Sequence, residues 1–258
     1  MRINLSNKNQ FNEMFFPNAK LDNIDSITGI SIDSRLVKSG DMFIPLPGQK
    51  IDGHLFINDA INAGASLIVS EKRTDIKSNK IKYVESTYSY LKKISNKWRK
   101  SFSGNVIGIT GSNGKTTTKE LLAYVISNNT KCNYTKGNYN STTGVPLSIL
   151  GMNLNSDLYI IELGMSNPGE IKTLCDISMP NIGLITNISG AHIENFKTLK
   201  NIAREKSSLF RGLLKNDIAF YNIDDHFIND IQTKAKKISY SLKNKADYKG
   251  RLNDSKLI

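Results

Sequence analysis

A glycine-rich segment between an apolar stretch and a helical stretch is the strongest chemical signal in the sequence. The segment reads VIGITGSNGKTTTKELL. Glycines allow the backbone to turn its N–H groups around phosphate oxygens, and the start of a following helix adds a favourable dipole. Lys115 would reach the β- and γ-phosphates of a nucleotide, and the hydroxyl of Thr116 would hold Mg²⁺. The predicted nucleotide site comprises Gly111, Ser112, Asn113, Gly114, Lys115, Thr116 and Thr117.

This segment departs from the standard phosphate-loop spacing at one position. The pattern G-x-x-x-x-G-K-[ST] requires glycine at position 109, where Ile109 stands, and Gly108 lies one residue too early. The sequence therefore predicts a shortened loop, G-x-x-G-K-T. The alternative is a glycine-rich turn with a surface lysine, but the order strand, loop, helix favours a phosphate loop.

Two polar residues follow other apolar stretches. Glu162 ends the run DLYIIE, where a carboxylate beside a phosphate loop could hold Mg²⁺ or its water shell; the alternative is an acid that faces solvent.

His192 follows the apolar run that begins at Ile182. Imidazole can bind a metal or phosphate, but Mg²⁺ prefers oxygen, so His192 would suit a loosely held or Mn²⁺-tolerant second site. Taken alone, His192 is better explained as an ordinary polar loop residue.

A lysine lies on the apolar stripe of a predicted helix. In the stretch Thr198–Leu214, apolar residues recur at steps of three and four, as on the buried face of a helix. Lys206 falls on that stripe, four residues after Ile202 and four before Phe210. A buried ammonium is costly unless it is paired or its pKa drops, and a lysine with a lowered pKa could take up CO₂ as a carbamate. The alternative is a lysine whose ammonium reaches the surface.

These candidate residues require a scaffold of strands that end at one edge of a sheet. Near-continuous apolar strands joined by helices indicate a parallel α/β sheet, whose ligands bind at the carboxyl ends of the strands. We predict strands at Val106–Thr110, Leu158–Leu163, Ile182–Asn187 and Ile218–Asn222, and helices at Thr116–Ser127 and Thr198–Leu214.

The sequence predicts two domains. Residues 1–95 hold short apolar runs and a helical stretch near Leu55–Ala63, as expected for a small α/β domain. Residues 96–105, NKWRKSFSGN, are polar and basic and are predicted to be a linker. Residues 106–258 form the larger α/β domain, which carries the phosphate loop.

Composition excludes several classes of protein. A chain of 258 residues with 39% hydrophobic content can form one or two real cores and is not disordered. No apolar run approaches the roughly 18 residues that span a membrane, and no secretory signal layout begins the chain. Cys132 and Cys175 offer neither a disulfide framework nor metal-ligand spacing, which favours a reducing, cytoplasmic compartment. The formal charge is +12, but the lysines are scattered without interleaved aromatics, so we expect phosphate-bearing small molecules rather than nucleic acid.

Several of these segments together resemble the Mur ligase family of ATP-dependent peptidoglycan ligases. The first domain carries DSRLVKSGDMFIPLPGQKIDGHLFINDAINAGASLIV, similar to the family's N-terminal uridine-nucleotide domain. The second carries TGSNGKTTTKE and NISGAHIENFKTLKNIAREKSSLF. The segments GNYNSTTGVPL and IELGMSNPGEI are similar to those of the family member that uses D-alanyl-D-alanine.

The resemblance implies a reaction and its participants. ATP would phosphorylate the terminal carboxylate of UDP-N-acetylmuramoyl-tripeptide. The amine of D-alanyl-D-alanine would then attack the acyl phosphate through a tetrahedral intermediate and release phosphate. The resemblance also implies two Mg²⁺ ions and a cytoplasmic, monomeric enzyme of peptidoglycan precursor synthesis that is not inserted in a membrane.

The resemblance also assigns roles to residues around the phosphate loop. Lys115 would bind ATP phosphates, and Thr116 and Glu162 would hold one Mg²⁺. His192 would help to hold the second Mg²⁺. Lys206 matches the lysine that is carbamylated in this family, where the new carboxylate supports that second ion.

Four further residues match family motifs. Asn138 lies where the family contacts the acyl-phosphate region, and Asn222 resembles its adenine-side asparagine. Ser34 and Arg35 match the motif associated with the uridine nucleotide.

Two departures from the family pattern are visible. Family members often carry Glu two residues after the matched lysine, where Ser208 stands here. The family also has a C-terminal Rossmann-like domain that closes over ATP. We expect that domain to be absent here and the ATPase domain to be incomplete, so that this chain alone has weak ligase activity or none.

Two alternatives remain open at this point. The chain could be another Mur ligase or a folylpolyglutamate-synthetase-like ligase, although the GNYNSTTGVPL segment and the N-terminal DSR motif argue against both. It could also be a basic nucleotide-binding module without ligase activity.

Overall fold

The structure is a computed structural model that describes residues 1–18, 26–48 and 50–251. The chain separates into two compact units. Unit 1 contains residues 1–103 and 146–155, and unit 2 contains residues 104–145 and 156–258.

Unit 1 is built on a five-stranded sheet of order β1-β2-β3-β4-β5. Strand β1 is antiparallel to β2, and every other pair is parallel. The strands are β1 (Arg2–Asn4), β2 (Gly29–Ser31), β3 (Asp41–Phe43), β4 (Leu67–Ser70) and β5 (Ile81–Tyr83). The α-helices are α1 (Lys8–Phe15), α2 (Ile57–Asn62) and α3 (Thr87–Arg99), and short 3₁₀ turns cover Ser34–Leu36 and Gly53–Phe56.

The start of the predicted linker 96–105 is wrong, because residues 96–99 form the last turn of helix α3. Trp98 has no exposed surface and packs edge-on against Phe11, with ring centroids 5.5 Å apart. The basic residues around Trp98 made this turn look like a loop, although one of its faces is buried. The first boundary between the two units along the chain falls between Ser103 and Gly104.

Residues 146–155, which the sequence places in the second domain, cluster with unit 1. Helix α5 (Gly144–Leu150) leads into this segment. The Ser6 hydroxyl donates to the Gly151 carbonyl at 2.9 Å, and the Leu154 N–H donates to the Asn7 side chain at 2.8 Å. Apolar contact adds to these bonds, since Leu147, Ile149 and Met152 are fully buried.

Unit 2 is a parallel sheet covered by helices, as the apolar strand pattern predicts. In the described residues its seven strands have the order β12-β11-β10-β9-β6-β8-β7 and every pair is parallel. The strands are β6 (Asn105–Thr110), β7 (Cys132–Tyr134), β8 (Leu158–Glu162), β9 (Ile182–Ile185), β10 (Ile218–Asn222), β11 (Lys236–Ser241) and β12 (Tyr248–Lys249). The remaining helices are α4 (Lys115–Ile126), α6 (Glu170–Ser178), α7 (Ile193–Phe196), α8 (Leu199–Lys206), α9 (Ser208–Gly212) and α10 (His226–Asn229).

The strand order places a switch point next to β6. From β6 the chain passes to β7, on the far side of β8, and it later returns to form β9 on the opposite side of β6. Because the strands are parallel, the ends of β6, β8 and β9 open at the same edge, where such sheets bind ligands. The loop after β6 therefore lies between the ends of β8 and β9.

Two predicted elements in unit 2 differ from the structure by more than one residue at an end. The helix predicted over Thr198–Leu214 is divided at Ser207 into α8 and α9. The strand predicted over Ile182–Asn187 pairs only as far as Ile185, because its last two residues turn towards the loop after β6.

Candidate active site at the phosphate loop

The loop between β6 and α4 requires glycine at two positions. Gly111 has φ +153°, and a Cβ there would lie 1.8 Å from the Thr186 hydroxyl. Gly114 has φ +77° and is the N-cap of α4. A side chain at Gly111 is excluded because it would clash with Thr186, and a side chain at Gly114 is disfavoured because φ is positive there. The two glycines of the G-x-x-G pattern thus serve the turn from strand to helix.

Residues that follow β9 hold this loop in place. The Asn187 carbonyl accepts from the Ser112 N–H at 2.9 Å, and the Asn187 side-chain oxygen accepts from the Asn113 N–H at 3.1 Å. The Thr186 hydroxyl donates to the Asn113 carbonyl at 2.6 Å. The sequence predicts that the amides of Ser112 and Asn113 face phosphate, but in this structure both already have protein acceptors.

The first turn of helix α4 supplies the remaining donors. Gly114 is the N-cap of this helix and offers no capping side chain, and among the described residues no hydrogen bond from the N–H groups of Lys115, Thr116 or Thr117 to a side chain is seen. Unpaired first-turn donors and the helix dipole together suit an anion. The backbone of Lys115, Thr116 and Thr117 is therefore the part of the predicted nucleotide site that is best placed to receive phosphate.

Lys115 folds back over the loop. Its ammonium donates to the Gly111 carbonyl at 2.8 Å and to the Ser112 carbonyl at 3.3 Å. Burial lowers the pKa of Lys115, and the negative charge of Glu162 opposes that shift. The ammonium thus lies at the rim of the loop, where an incoming phosphate could replace the carbonyls.

Thr116 and Glu162 meet beside the loop, as their positions after β6 and at the end of β8 predict. The Thr116 hydroxyl donates to Glu162 Oε2 at 2.9 Å, and Glu162 is 1% exposed. The Asn140 amide donates to Glu162 Oε1 at 2.7 Å. Hydroxyl, carboxylate and amide oxygens are the ligand types that Mg²⁺ prefers. The residues present therefore fit one hard divalent cation.

A buried lysine, Lys119, contacts the cluster of Thr116, Glu162 and Asn140. The sequence did not lead us to predict it. Lys119 has no exposed surface, and its ammonium donates to the Thr135 carbonyl at 2.7 Å and to the Gly137 carbonyl at 3.2 Å. It also lies 3.7 Å from Glu162 Oε2. A signal was present, because Lys119 lies four residues before the buried Ala123 on the apolar stripe of α4. Asn140, by contrast, has no distinguishing pattern.

Lys206 is buried and points to the phosphate loop. Its side chain is 2% exposed, and its ammonium donates to the Gly111 carbonyl at 2.9 Å. The alternative prediction, that the Lys206 ammonium reaches the surface, is therefore wrong. Burial lowers the pKa of Lys206 to about 7, the neighbouring Lys115 charge lowers it further, and Glu205 opposes the shift. An amine in this state is partly neutral at physiological pH and can act as a nucleophile.

Two other predicted residues lie near this edge of the sheet but outside the cluster. Asn222 ends β10, and its amide donates to the Thr186 carbonyl at 3.3 Å, beside the phosphate loop. Asn138 is exposed in the loop after β7, and its carbonyl accepts from the Asn140 N–H at 2.8 Å.

His192 is not joined to the Thr116–Glu162 pair. It is exposed, has φ +62° and is the N-cap of helix α7. Its charged neighbour is Glu170, whose carboxyl pKa is lowered mainly by hydrogen bonds from Ser166 and Asn167, with a smaller contribution from His192, against an opposing desolvation. Among the described residues, the hydrogen bonds and ion pairs give His192 no link to Thr116 or Glu162.

The predicted uridine-nucleotide residues lie in unit 1. Ser34 and Arg35 belong to the 3₁₀ turn Ser34–Leu36, which Asp33 caps by accepting from the Arg35 N–H. The Arg35 guanidinium is 2.8 Å from Asp33, and its side chain is 85% exposed. The Arg35 hydrogen bonds lower the pKa of Asp33. The guanidinium is thus oriented by Asp33 and open to solvent.

In the described part of the chain, no helix has the length and apolarity that crossing a membrane requires.

Comparison with known proteins agrees with the family resemblance of the sequence. A family model described as "Mur ligase middle domain" matches residues 109–256, and one described as "Mur ligase family, catalytic domain" matches residues 26–106. UDP-N-acetylmuramoyl-tripeptide--D-alanyl-D-alanine ligase from Rickettsia prowazekii is 36% identical over 221 residues, which are 85% of this chain and 49% of that protein. The chain spans about half the length of the curated relatives it matches.

Solved structures give a similar result. MurF ligase from Thermotoga maritima in complex with ADP matches with a TM-score of 0.77 and 34% identity, over 83% of this chain and 50% of that chain. A crystal structure of MurF from Acinetobacter baumannii matches with a TM-score of 0.77 and 31% identity, over 82% of this chain and 47% of that chain. Since a family model covers more than half of the residues, the chain belongs to the Mur ligase family.

Proposed function

We propose that this chain contributes the nucleotide site and the UDP-sugar site of an ATP-dependent ligase that joins D-alanyl-D-alanine to UDP-N-acetylmuramoyl-tripeptide. One observation carries the ATP-dependent part: Lys115 and the buried Lys206 both donate to the Gly111 carbonyl of the phosphate loop, beside the Thr116–Glu162 pair. The choice of substrates rests on the names of the relatives.

The residues of the loop would bind and orient the triphosphate. First-turn N–H groups of α4 would receive phosphate oxygens, and the Lys115 ammonium would move from the Gly111 carbonyl to the β- and γ-phosphates. The Thr116 hydroxyl and the Glu162 carboxylate would hold Mg²⁺. When bound, Mg²⁺ neutralises charge on the transferring phosphoryl group.

The proposed reaction balances in two steps. An oxygen of the tripeptide carboxylate attacks the γ-phosphorus, the bond to the bridging oxygen breaks, and ADP leaves. The amine of D-alanyl-D-alanine then attacks the acyl carbon, loses a proton and expels inorganic phosphate. Positioning and positive charge supply most of the catalysis in such transfers, and Lys115 and the α4 N-terminus provide both.

Lys206 would act as a carbamate. Its neutral amine attacks CO₂, the N–C bond forms, and the nitrogen loses a proton, which leaves a carboxylate close to Gly111. That carboxylate would help to hold a second Mg²⁺. His192 would help to hold the same ion, and its exposed imidazole is open to such a ligand.

The remaining assignments complete the proposal. Ser34 and Arg35 would bind the uridine nucleotide, Asn138 the acyl-phosphate region and Asn222 the adenine side. We further propose that the ligase is cytoplasmic and monomeric, with two Mg²⁺ ions as cofactors. We propose that residues 1–258 on their own turn over weakly as a ligase; they span about half the length of the relatives.

Calorimetry of ADP binding in the presence of Mg²⁺ tests the nucleotide site. We expect Lys115→Met to weaken ADP binding by about tenfold or more, because a charge-assisted contact to phosphate is lost. Lys172→Met is the matched control, since Lys172 is exposed and its ion pair within the described residues is with Asp176 of the same helix. Equal affinity of Lys115→Met and the control would contradict the proposed site.

A thermal-shift comparison tests the substrate class. UDP-N-acetylmuramoyl-tripeptide should stabilise the chain, whereas a folate should not. Stabilisation by folate alone would favour a folylpolyglutamate-synthetase-like ligase. Binding to nucleic acid that persists at physiological salt would favour the basic nucleotide-binding module instead.

A further inference from the structure

Lys119 is the most deeply buried charged group beside the proposed nucleotide site. Its ammonium is surrounded by the carbonyls of Thr135 and Gly137 and by the carboxylates of Glu120, at 3.1 Å, and Glu162, at 3.7 Å. Glu120 is about half exposed, so its charge is largely screened by water, whereas Glu162 is buried. The pair that matters electrostatically is therefore Lys119 and Glu162.

The charges around Glu162 favour an anion over a lone cation. Lys115 and Lys206 share the Gly111 carbonyl, and the Lys119 ammonium lies 3.7 Å from Glu162 Oε2. Among the described residues, no group of three or more His, Cys, Asp or Glu could hold a metal ion. One buried carboxylate is thus the main negative charge among several ammonium groups.

A divalent cation that approaches Glu162 alone would meet this positive field. Coulomb repulsion between a divalent ion and a nearby ammonium is strong where water is excluded. The phosphates of a nucleotide would reverse the balance, because ATP brings several negative charges to the same edge of the sheet. Lys119 cannot move away easily, since it has no exposed surface and is bound to two backbone carbonyls.

We propose that Lys119 makes divalent-cation binding at Glu162 conditional on a bound nucleotide, by cancelling the carboxylate charge until phosphates arrive. This inference rests on the proposed function for the identity of the nucleotide, but its central comparison is made without nucleotide. Lys119 acts here through Glu162 and is a positioning residue, not a catalytic one.

Lys119 could instead serve only to hold the loop after β7 against helix α4 by hydrogen bonds. That role also follows from its contacts with Thr135 and Gly137. The two roles make opposite predictions for a neutral substitution. If Lys119 only holds the loop in place, its loss would leave Glu162 less ordered and weaken cation binding. If Lys119 repels the cation, its loss would strengthen cation binding.

Mn²⁺ titration followed by electron paramagnetic resonance tests the proposal in the absence of nucleotide. We expect Lys119→Met to bind Mn²⁺ about tenfold more tightly than the wild-type chain, because one unit of opposing charge is removed. Lys172→Met, which neutralises an exposed lysine, should bind Mn²⁺ as the wild type does. The double variant Lys119→Met/Glu162→Gln should lose the gain.

The outcomes separate this proposal from its alternatives. Unchanged or weaker Mn²⁺ binding by a folded Lys119→Met chain would overturn the proposal. If circular dichroism shows that this variant does not fold, Lys119→Gln, which keeps a donor for a backbone carbonyl, makes the same comparison. Failure of the wild type to bind ADP would overturn the proposed function, while the nucleotide-free comparison would still decide the role of Lys119.

Discussion

The Lys206 amine should lose its proton near neutral pH, about three pH units below an exposed lysine. Its pKa falls from 10.5 to about 7, and burial is the largest cause. At pH 7.5 a group with a pKa near 7 is about three-quarters neutral, whereas a lysine at 10.5 is about one part in a thousand neutral. This difference is what makes a carbamate at Lys206 chemically accessible.

The causes of the shift predict how it responds to mutation. The Lys115 charge lowers the pKa of Lys206, and both ammonium groups bond to the Gly111 carbonyl. Lys115→Met should therefore raise the pKa of Lys206. The rise should be partial, because burial is the larger cause and Lys206 stays buried in that variant.

Competitive labelling with an isotopic acetylating reagent measures this pKa. The extent of labelling is read by mass spectrometry on each lysine peptide between pH 5 and pH 11. Burial slows the reaction of Lys206 by a constant factor, but the midpoint of its pH profile still reports its proton loss. Lys172, whose pKa is raised by its hydrogen bond to Asp176, is the exposed reference within the same sample.

Two results would refute the reasoning. A labelling midpoint for Lys206 at pH 9.5 or above would show that burial does not destabilise its ammonium. A midpoint in Lys115→Met equal to or below that of the wild type would show that the Lys115 charge is not a cause.

Three further predictions concern stability, measured as the free energy of unfolding in urea. Between about pH 7 and 10.5 the unfolded chain keeps the Lys206 proton and the folded chain does not. The free energy of unfolding of the wild type should therefore rise with pH through that window, relative to that of Lys206→Met. Parallel pH profiles of the two proteins would contradict this. Gly111→Ala should cost about 3 kcal/mol, because its Cβ would meet the Thr186 hydroxyl. Gly114→Ala should cost about 1 kcal/mol, because its φ of +77° disfavours a side chain although no described atom lies within 4 Å of the new Cβ; equal losses would contradict the clash at Gly111. Trp98→Phe should cost no more than about 2 kcal/mol, since the buried Trp98 indole N–H finds no hydrogen-bond partner among the described residues, whereas Trp98→Ala should cost about 4 kcal/mol. Similar losses for the two variants would show that the indole contributes more than its volume.

The phosphate-loop edge of the sheet was predictable because its signals are local. The apolar run before Gly111 and the helical period after Lys115 identify strand, loop and helix without knowledge of the rest of the chain. Glu162 could be found for a similar reason, since it ends a strand whose five residues are all buried. The fold class follows from the same runs.

The contacts that complete the site depend on pairings between distant segments, and these were not predictable. Asn140 reaches Glu162 across 22 positions of sequence, and nothing in its neighbourhood marks it. The attachment of the loop at Asn187 depends on β9 lying next to β6, which the sequence does not specify. The break at Ser207 is equally hidden, because the apolar stripe continues through it at helical spacing.

The positions of Lys119 and Lys206 indicate why buried lysines on apolar helix faces occur next to the switch point of the sheet. Lys119 donates to the Thr135 carbonyl just after β7, and Lys206 donates to the Gly111 carbonyl just after β6. Carbonyls immediately beyond the end of a strand have left the sheet ladder and can accept a hydrogen bond from an ammonium. A lysine on a buried helical stripe therefore finds backbone acceptors where a helix passes such a strand end, and in this sheet that is also the edge where phosphates would bind. Sequence shows the lysine on the stripe, but only the strand order shows which carbonyl receives it.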